Sequence, residues 1–200
     1  PKQTPGIPVW GAGTSGPGVA HSVQLLDVYL SFANTTPKLG EKFRKVAAEA
    51  VKIGRELTFG TRLQIIVRET EEEAWAHAEK LLQRTSLQTA RAAIERQLPP
   101  GETFDSYQSD DPQTQRNLDT VRAGRLPKAR DLEIYPNVWL GPSLFGFNLL
   151  GPAAGTYLVG SAEQVAERIR EYEAEGTSAF ILSRFPLLDE AHRVAGSLFP

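Results

Sequence analysis

The chain has 200 residues, 40% of them apolar and 23% charged, which is material for one sizeable soluble core. A net charge of -2 without a basic cluster argues against a nucleic-acid or anionic-membrane surface, and the absence of cysteine excludes disulfides, thiolate metal sites and cysteine nucleophiles. No apolar run reaches the roughly 18 residues of a membrane span and no signal-peptide pattern opens the chain, so no membrane association is expected and the cytoplasm is the expected compartment.

Methionine is also absent, position 1 included, and the opening Pro-Lys-Gln-Thr-Pro-Gly-Ile-Pro reads as a connecting loop, so a segment of a longer chain is expected. Residues 7–10 form a short apolar strand, followed by a glycine-rich run, residues 11–18. Pro17 suits a first helical position with Ser15 or Gly16 as cap, and Val19, Val23 and Leu26 follow at near-helical spacing. A second strand spans 27–32. Thr36-Pro37 opens a helix with Phe43, Val46, Ala47 and Ala50 on one face and Gly54 as its stop. Residues 59–68 are the third strand, and Thr70 with Glu73 is a capping box that opens a helix through Trp75, Ala78 and Leu82.

From about residue 83 the texture turns polar, with helices expected at about 86–97 and 112–123 around Pro99-Pro100-Gly101. Residues 137–157 show little periodicity and read as a long loop, either functional or mobile. Ser161 and Gln164 form another capping box, opening a helix with Val165, Ile169 and Tyr172 inward and Gly176 as stop. Residues 179–183 are a fourth strand, and 188–198 a closing helix. Strand–helix alternation with β-branched strands implies an α/β fold, a parallel sheet covered by helices; four such units make half of an eight-stranded barrel or a small open sheet.

The third strand carries the most telling anomaly. Side chains alternate between faces, so Arg62 and Gln64 share a side with Ile66, while Thr61, Leu63 and Ile65 share the other. A cation and an amide side by side in a strand are costly to bury without a partner, which is either an internal carboxylate or an anionic ligand. Gly11-x-Gly13-x-x-Gly16 matches a dinucleotide fingerprint in form, but Asp27 stands at the start of the second strand and not at its end, where a ribose would need it. Two readings remain for Gly13, Thr14, Ser15 and Gly16: a phosphate site built from free amides at a helix start, or a structural tight turn. His21, His77 and His192 lack metal spacing and read as surface or packing residues. Arg184, just after the fourth strand, lies where barrels carry their chemistry, or is a plain loop residue.

Taken in collinear order, several segments resemble the alkanesulfonate monooxygenase group of the bacterial-luciferase-like flavin monooxygenases. They are Pro8-Val-Trp-Gly-Ala-Gly-Thr-Ser15, Leu26-Asp-Val-Tyr-Leu30, Phe59-Gly-Thr-Arg-Leu63 and Ile66-Val-Arg-Glu-Thr70. The match continues through Asp131-Leu-Glu-Ile134, Pro136-Asn-Val-Trp139, Ala154-Gly-Thr-Tyr-Leu-Val-Gly160, Phe180-Ile-Leu-Ser183 and Asp189-Glu-Ala-His-Arg-Val194. The resemblance implies a TIM (β/α)8 barrel of which this chain holds about the second half, four βα units. It would be a single domain over 1–200, with an inserted helical and mobile loop region at about 84–157.

It further implies reduced FMN delivered by an NAD(P)H-dependent flavin reductase, O2 as co-substrate, a small organosulfur or apolar substrate, and a homo-oligomer. Reduced flavin and O2 would oxygenate a carbon next to a sulfonate, releasing sulfite and an aldehyde. In that scheme Gly13, Thr14, Ser15 and Gly16 hold the FMN phosphate, Arg62 is the active-site arginine, and Phe32 replaces a pocket tryptophan. The chain departs from the group at three places: Gln64 stands where the sulfonate enzymes have a histidine, Arg184-Phe185-Pro186 replaces a Gly-Tyr-Pro turn, and Gly151 falls near a loop arginine. Gln64 cannot titrate near neutral pH, and Phe185 has no hydroxyl. Arg184 would compensate for a lost cation, and the aromatic, glycine-rich 144–151 segment suggests a less polar substrate. The alternatives are a non-catalytic flavin- or phosphate-binding member of the same fold and a deazaflavin-dependent oxidoreductase.

Overall fold

A computed structural model describes residues 6–143, 146–147, 149–183 and 187–198. The elements run β1 (Trp10–Gly11), α1 (Gly16–Leu25), β2 (Val28–Phe32), α2 (Thr36–Lys52), β3 (Thr58–Arg68) and α3 (Glu71–Leu82). They continue with α4 (Leu87–Glu95), α5 (Pro112–Arg122), a 3-10 turn (Ala129–Leu132), β4 (Glu133–Tyr135), β5 (Val138–Leu140), β6 (Pro142–Ser143) and β7 (Gly146–Phe147). The chain closes with β8 (Thr156–Ser161), α6 (Ala162–Ala174), β9 (Ala179–Ser183) and α7 (Leu187–Leu198).

β3 organises the sheet. Its 11 residues are long enough to serve two neighbours on top of β2. Parallel β2 pairs with residues 58–62, parallel β9 with 60–64, and parallel β8 with 64–68. β1 extends the β2 edge in parallel, while β5 and β4 extend beyond β8 in antiparallel pairing. Strands β1, β2, β3 and β9 with their helices follow the expected alternation, but β8, parallel to β3 and followed by α6, is a further strand–helix unit, so the expected count of four does not hold. Ser161 and Gln164 form the full expected capping box, whereas Thr70 accepts the Glu73 amide without a reciprocal bond from the Glu73 side chain among the described residues, and Ser15 accepts the Gly18 amide.

Two apolar cores flank the sheet. One packs Leu63, Ile65 and Val67 of β3 with Tyr29, Phe43, Val46, Val165 and Tyr172, burying the facing stripes of α2 and α6. Within it Phe43 stacks on Phe59 at 4.8 Å between ring centroids. The other gathers Ile66, Trp75, Leu82, Ile94, Leu118, Trp139 and Tyr157, so the helices α4 and α5 of the polar region have a core of their own.

The structure differs from expectation in two places. The first strand is only two residues long, because Pro8 has no amide to donate to a ladder. The Val9 carbonyl still accepts from Asp27 at 2.9 Å, and the Val9 amide donates to the Asp27 carboxylate at 2.7 Å. Residues 137–157, read as a loop, contain β5, β6, β7 and the start of β8. β5 is buried throughout and β8 at all but its last residue, so neither shows the alternation that marks a half-exposed strand. Among the described residues no helix is long and apolar enough to cross a membrane, and no cluster of His, Asp and Glu could hold a metal ion.

Candidate functional site

Parallel strands in register set equivalent side chains in rows on one face. Phe32 of β2, Arg62 of β3 and Ile181 of β9 are register partners and form such a row. It lies on the face away from Tyr29, Leu63 and Ile65, and it is open: Phe32 is 45% and Ile181 37% exposed. Below it, Leu30, Gly60 and Ala179 form the next row, where a Cβ at residue 60 would sit 2.7 Å from Leu30 Cδ2. Gly60 thus allows Leu30 and Ala179 to close under the exposed row.

Arg62 is half-buried, and its guanidinium has no hydrogen-bond or ion-pair partner among the described residues. With Phe32 it lines a cavity of about 350 Å3 whose remaining wall is Ala93, Arg96, Gln97, Ala153 and Ala154. Helix α4 and the turn before β8 therefore roof the sheet-borne pair. Gln64 lies on the same side of β3, in register with Tyr157 and Ser183, but is only 5% exposed and is not in the cavity wall. Its Oε1 is buried without a donor, a costly arrangement that calls for one. Arg184 and Phe185 lie outside the described residues.

The glycine-rich loop forms a second, adjoining feature. Ser15 caps α1, its Oγ accepting the Gly18 amide at 3.1 Å. A Cβ at residue 13 would fall 2.7 Å from the Gly18 carbonyl oxygen, so only glycine lets the loop fold back onto the helix start. Gly16 has open space around its Cα, so it is not required by packing. The Tyr29 hydroxyl fixes the loop from below, donating to the Gly13 carbonyl at 2.6 Å, and burial raises its pKa so that it stays a donor. The amides of Ser15 and Gly16 have no acceptor among the described residues and stand at the positive end of α1.

Thr14 lines a smaller cavity of about 150 Å3 together with Ser31, Phe32, Ala33, Asn34, Lys38, Leu39, Lys42 and Pro152. Lys42 donates to Ser31 Oγ at 2.7 Å, and burial lowers its pKa. Both lysines escaped the reading of the sequence. Their signal was present, two cations at i and i+4 on the first turns of α2, but only the sheet order puts that helix start beside the loop. Phe32 lines both cavities. Exposed loop amides, a backbone cradle that a Cβ would fill, and two cations beside Thr14 fit the phosphate end of a nucleotide-like group. The adjoining Arg62 cavity leaves room for the reacting partner.

The arrangement has counterparts. A family profile described as luciferase-like monooxygenase matches residues 1–179. The fold is similar to that of riboflavin lyase (RcaE), solved with modified FMN and riboflavin, at a TM-score of 0.65 and 19% identity over 96% of this chain and 41% of that one. It is similar to long-chain alkane monooxygenase (LadA) at a TM-score of 0.63 and 16% identity, over 94% of this chain and 39% of that one. It is also similar to the coenzyme F420-dependent tetrahydromethanopterin reductase of Methanopyrus kandleri at 0.55 and 11% identity, over 95% of this chain and 49% of that one. This chain thus spans 39% to 49% of those relatives, and the curled sheet with its helices fits part of a TIM barrel. The profile match extends from the glycine loop through Arg62 to the last strand, and by it the chain belongs to the luciferase-like monooxygenase family.

Proposed function

We propose that this chain carries the cofactor-phosphate site and part of the substrate pocket of a reduced-FMN-dependent monooxygenase. It would act with O2 on an alkanesulfonate or a related small organosulfur or apolar compound. An NAD(P)H-dependent flavin reductase would supply the cofactor, and the enzyme would work as a cytoplasmic homo-oligomer. The observation that carries the reading is Arg62, whose guanidinium has no partner among the described residues and lines a cavity that shares Phe32 with the cavity beside the glycine loop.

Reduced FMN, when bound, supplies the activation of O2. This chain's own residues bind, orient and shield. Gly13, Thr14, Ser15 and Gly16 take the phosphate, helped by the charge of Lys38 and Lys42. Arg62 donates a planar fork of N–H groups to the anionic reacting centre. Gln64, the next residue on the Arg62 side of β3, lies outside the cavity wall and would act through Arg62, exchanging no proton at neutral pH. Phe32 covers the apolar side, and Arg184 and Phe185, which lie outside the described residues, are assigned to the substrate end by the resemblance alone. Family membership and relatives that act on an alkane or hold modified FMN support the oxygenase reading. A deazaflavin-dependent oxidoreductase is the second reading, favoured by the similarity to the F420-dependent reductase.

The test is O2 consumption by the full-length protein with FMN, NADH and a flavin reductase, stimulated by a series of alkanesulfonates and sulfones. Stimulation that disappears in Arg62→Ala supports the reading. Reduction of F420 by a secondary alcohol, with no stimulation by any sulfur compound, would replace it with the second.

A further inference from the structure

The cavity at Arg62 has a second cation, and it comes from outside the parallel sheet. Arg96 is the C-cap residue of α4, one turn beyond Ala93, and both line the cavity. A cation at a helix C-terminus is favourable on its own, so position alone says little. Its surroundings say more. Arg91, on the same helix, is held by Glu95 and by Asp105, each at 3.1 Å, and lies 4.7 Å from the Phe104 ring centroid. The Arg96 guanidinium has no hydrogen-bond or ion-pair partner among the described residues, and neither does that of Arg62. Among the described residues no carboxylate lines the cavity. Among the described residues, two guanidinium groups, half-buried Arg62 and exposed Arg96, therefore border one space with Phe32, three alanines and Gln97, and an anion entering it would meet both cations.

We propose that Arg96 is a specificity-determining residue that anchors an acidic group of the substrate. Arg62 on β3 would then face the reacting carbon beside that group. The substrate is accordingly an organic oxyanion (a sulfonate or a carboxylate) on a short apolar body, since about 350 Å3 is near the lower end of small-molecule pockets. The role of Arg62 at the reacting end rests on the monooxygenase reading. The anchoring by Arg96 is a binding property and can be measured without flavin or O2.

The experiment is calorimetric titration of hexanesulfonate, hexanoate and hexanol into the full-length protein and its Arg96→Ala and Arg96→Lys variants, in the absence of flavin. Arg96→Ala should weaken the preferred anion by about tenfold or more, the scale of one lost charge-assisted contact, and leave hexanol unchanged. Arg96→Lys should recover part of the loss, and the better of the two anions identifies the head group. An anion affinity within about twofold of wild type in Arg96→Ala overturns the proposal. So does a wild-type protein that holds neither anion more tightly than hexanol. Arg96-dependent binding without substrate-stimulated O2 consumption would reject the monooxygenase reading and keep the anchor. O2 consumption with the same KM in Arg96→Ala would do the reverse.

Discussion

Arg62 and Arg68 stand on the same strand and meet opposite fates. Arg68 donates to both carboxylate oxygens of Glu190 on α7, at 3.0 and 2.7 Å, and to the Val67 carbonyl at 2.7 Å. Its side chain is 11% exposed and that of Glu190 only 6%. Arg62, half-buried, has no partner among the described residues. Folding supplies a buried cation with what it needs where the cation is structural. Where the chain offers no such partner, the binding energy of the cation is left for a ligand.

The sharpest way to break this contrast is to exchange the expected consequences. Glu190→Ala should cost about 3–5 kcal/mol, read as a lower midpoint in urea unfolding of the full-length protein, because it leaves Arg68 buried and unpaired. Arg62→Ala removes no side-chain hydrogen bond or ion pair among the described residues, so its unfolding free energy should stay within about 0.5 kcal/mol of wild type. Its turnover should fall on the order of 100-fold, with flavin affinity nearly unchanged. If Arg62→Ala destabilised like Glu190→Ala, Arg62 would be structural and the contrast would be lost.

Smaller effects belong to the loop. Gly13→Ala drives a Cβ into backbone atoms of Gly18, which cannot swing aside as a side chain could, so about 1–3 kcal/mol of stability and much of the phosphate affinity should go. Ser15→Ala should lose about 1 kcal/mol with its cap. The smallest effect involves His77 on α3, whose pKa is held below the ordinary value by burial and then by repulsion from Arg68, against an opposing pull from Glu190. A depressed histidine means that the unfolded chain takes up the proton first. Stability should therefore decline as pH falls below about 6.5. His77→Gln should flatten that slope in pH-resolved unfolding, and an unchanged slope would remove His77 from the account.

Much of the parallel half of the fold was legible. Its strands alternate with capped helices, and caps and 3.6-residue stripes are local signals that survive in one sequence. The 137–157 region was not, since β5 and β8 are buried and buried strands lose their alternation. The site was legible in the same uneven way. Arg62 and Gln64 broke an apolar strand pattern and could be noticed in place, and the glycine loop announced itself by spacing. Arg96, Lys38 and Lys42 are ordinary polar residues on helices, and only the tertiary arrangement gives them cavities to line. Gln64 shows the reverse, prominent in the strand pattern yet outside the cavity wall, with a buried Oε1 that still lacks a donor.

The central claim is that the glycine loop holds a flavin phosphate beside the Arg62 cavity. Anaerobic titration of reduced FMN into the full-length protein, its Ser15→Glu variant and its Arg62→Ala variant tests it most directly. Saturable binding, weakened at least about tenfold by the added carboxylate at the phosphate and left intact by Arg62→Ala, is the result the account predicts. Equal affinity in wild type and Ser15→Glu, or no binding by either, would contradict it.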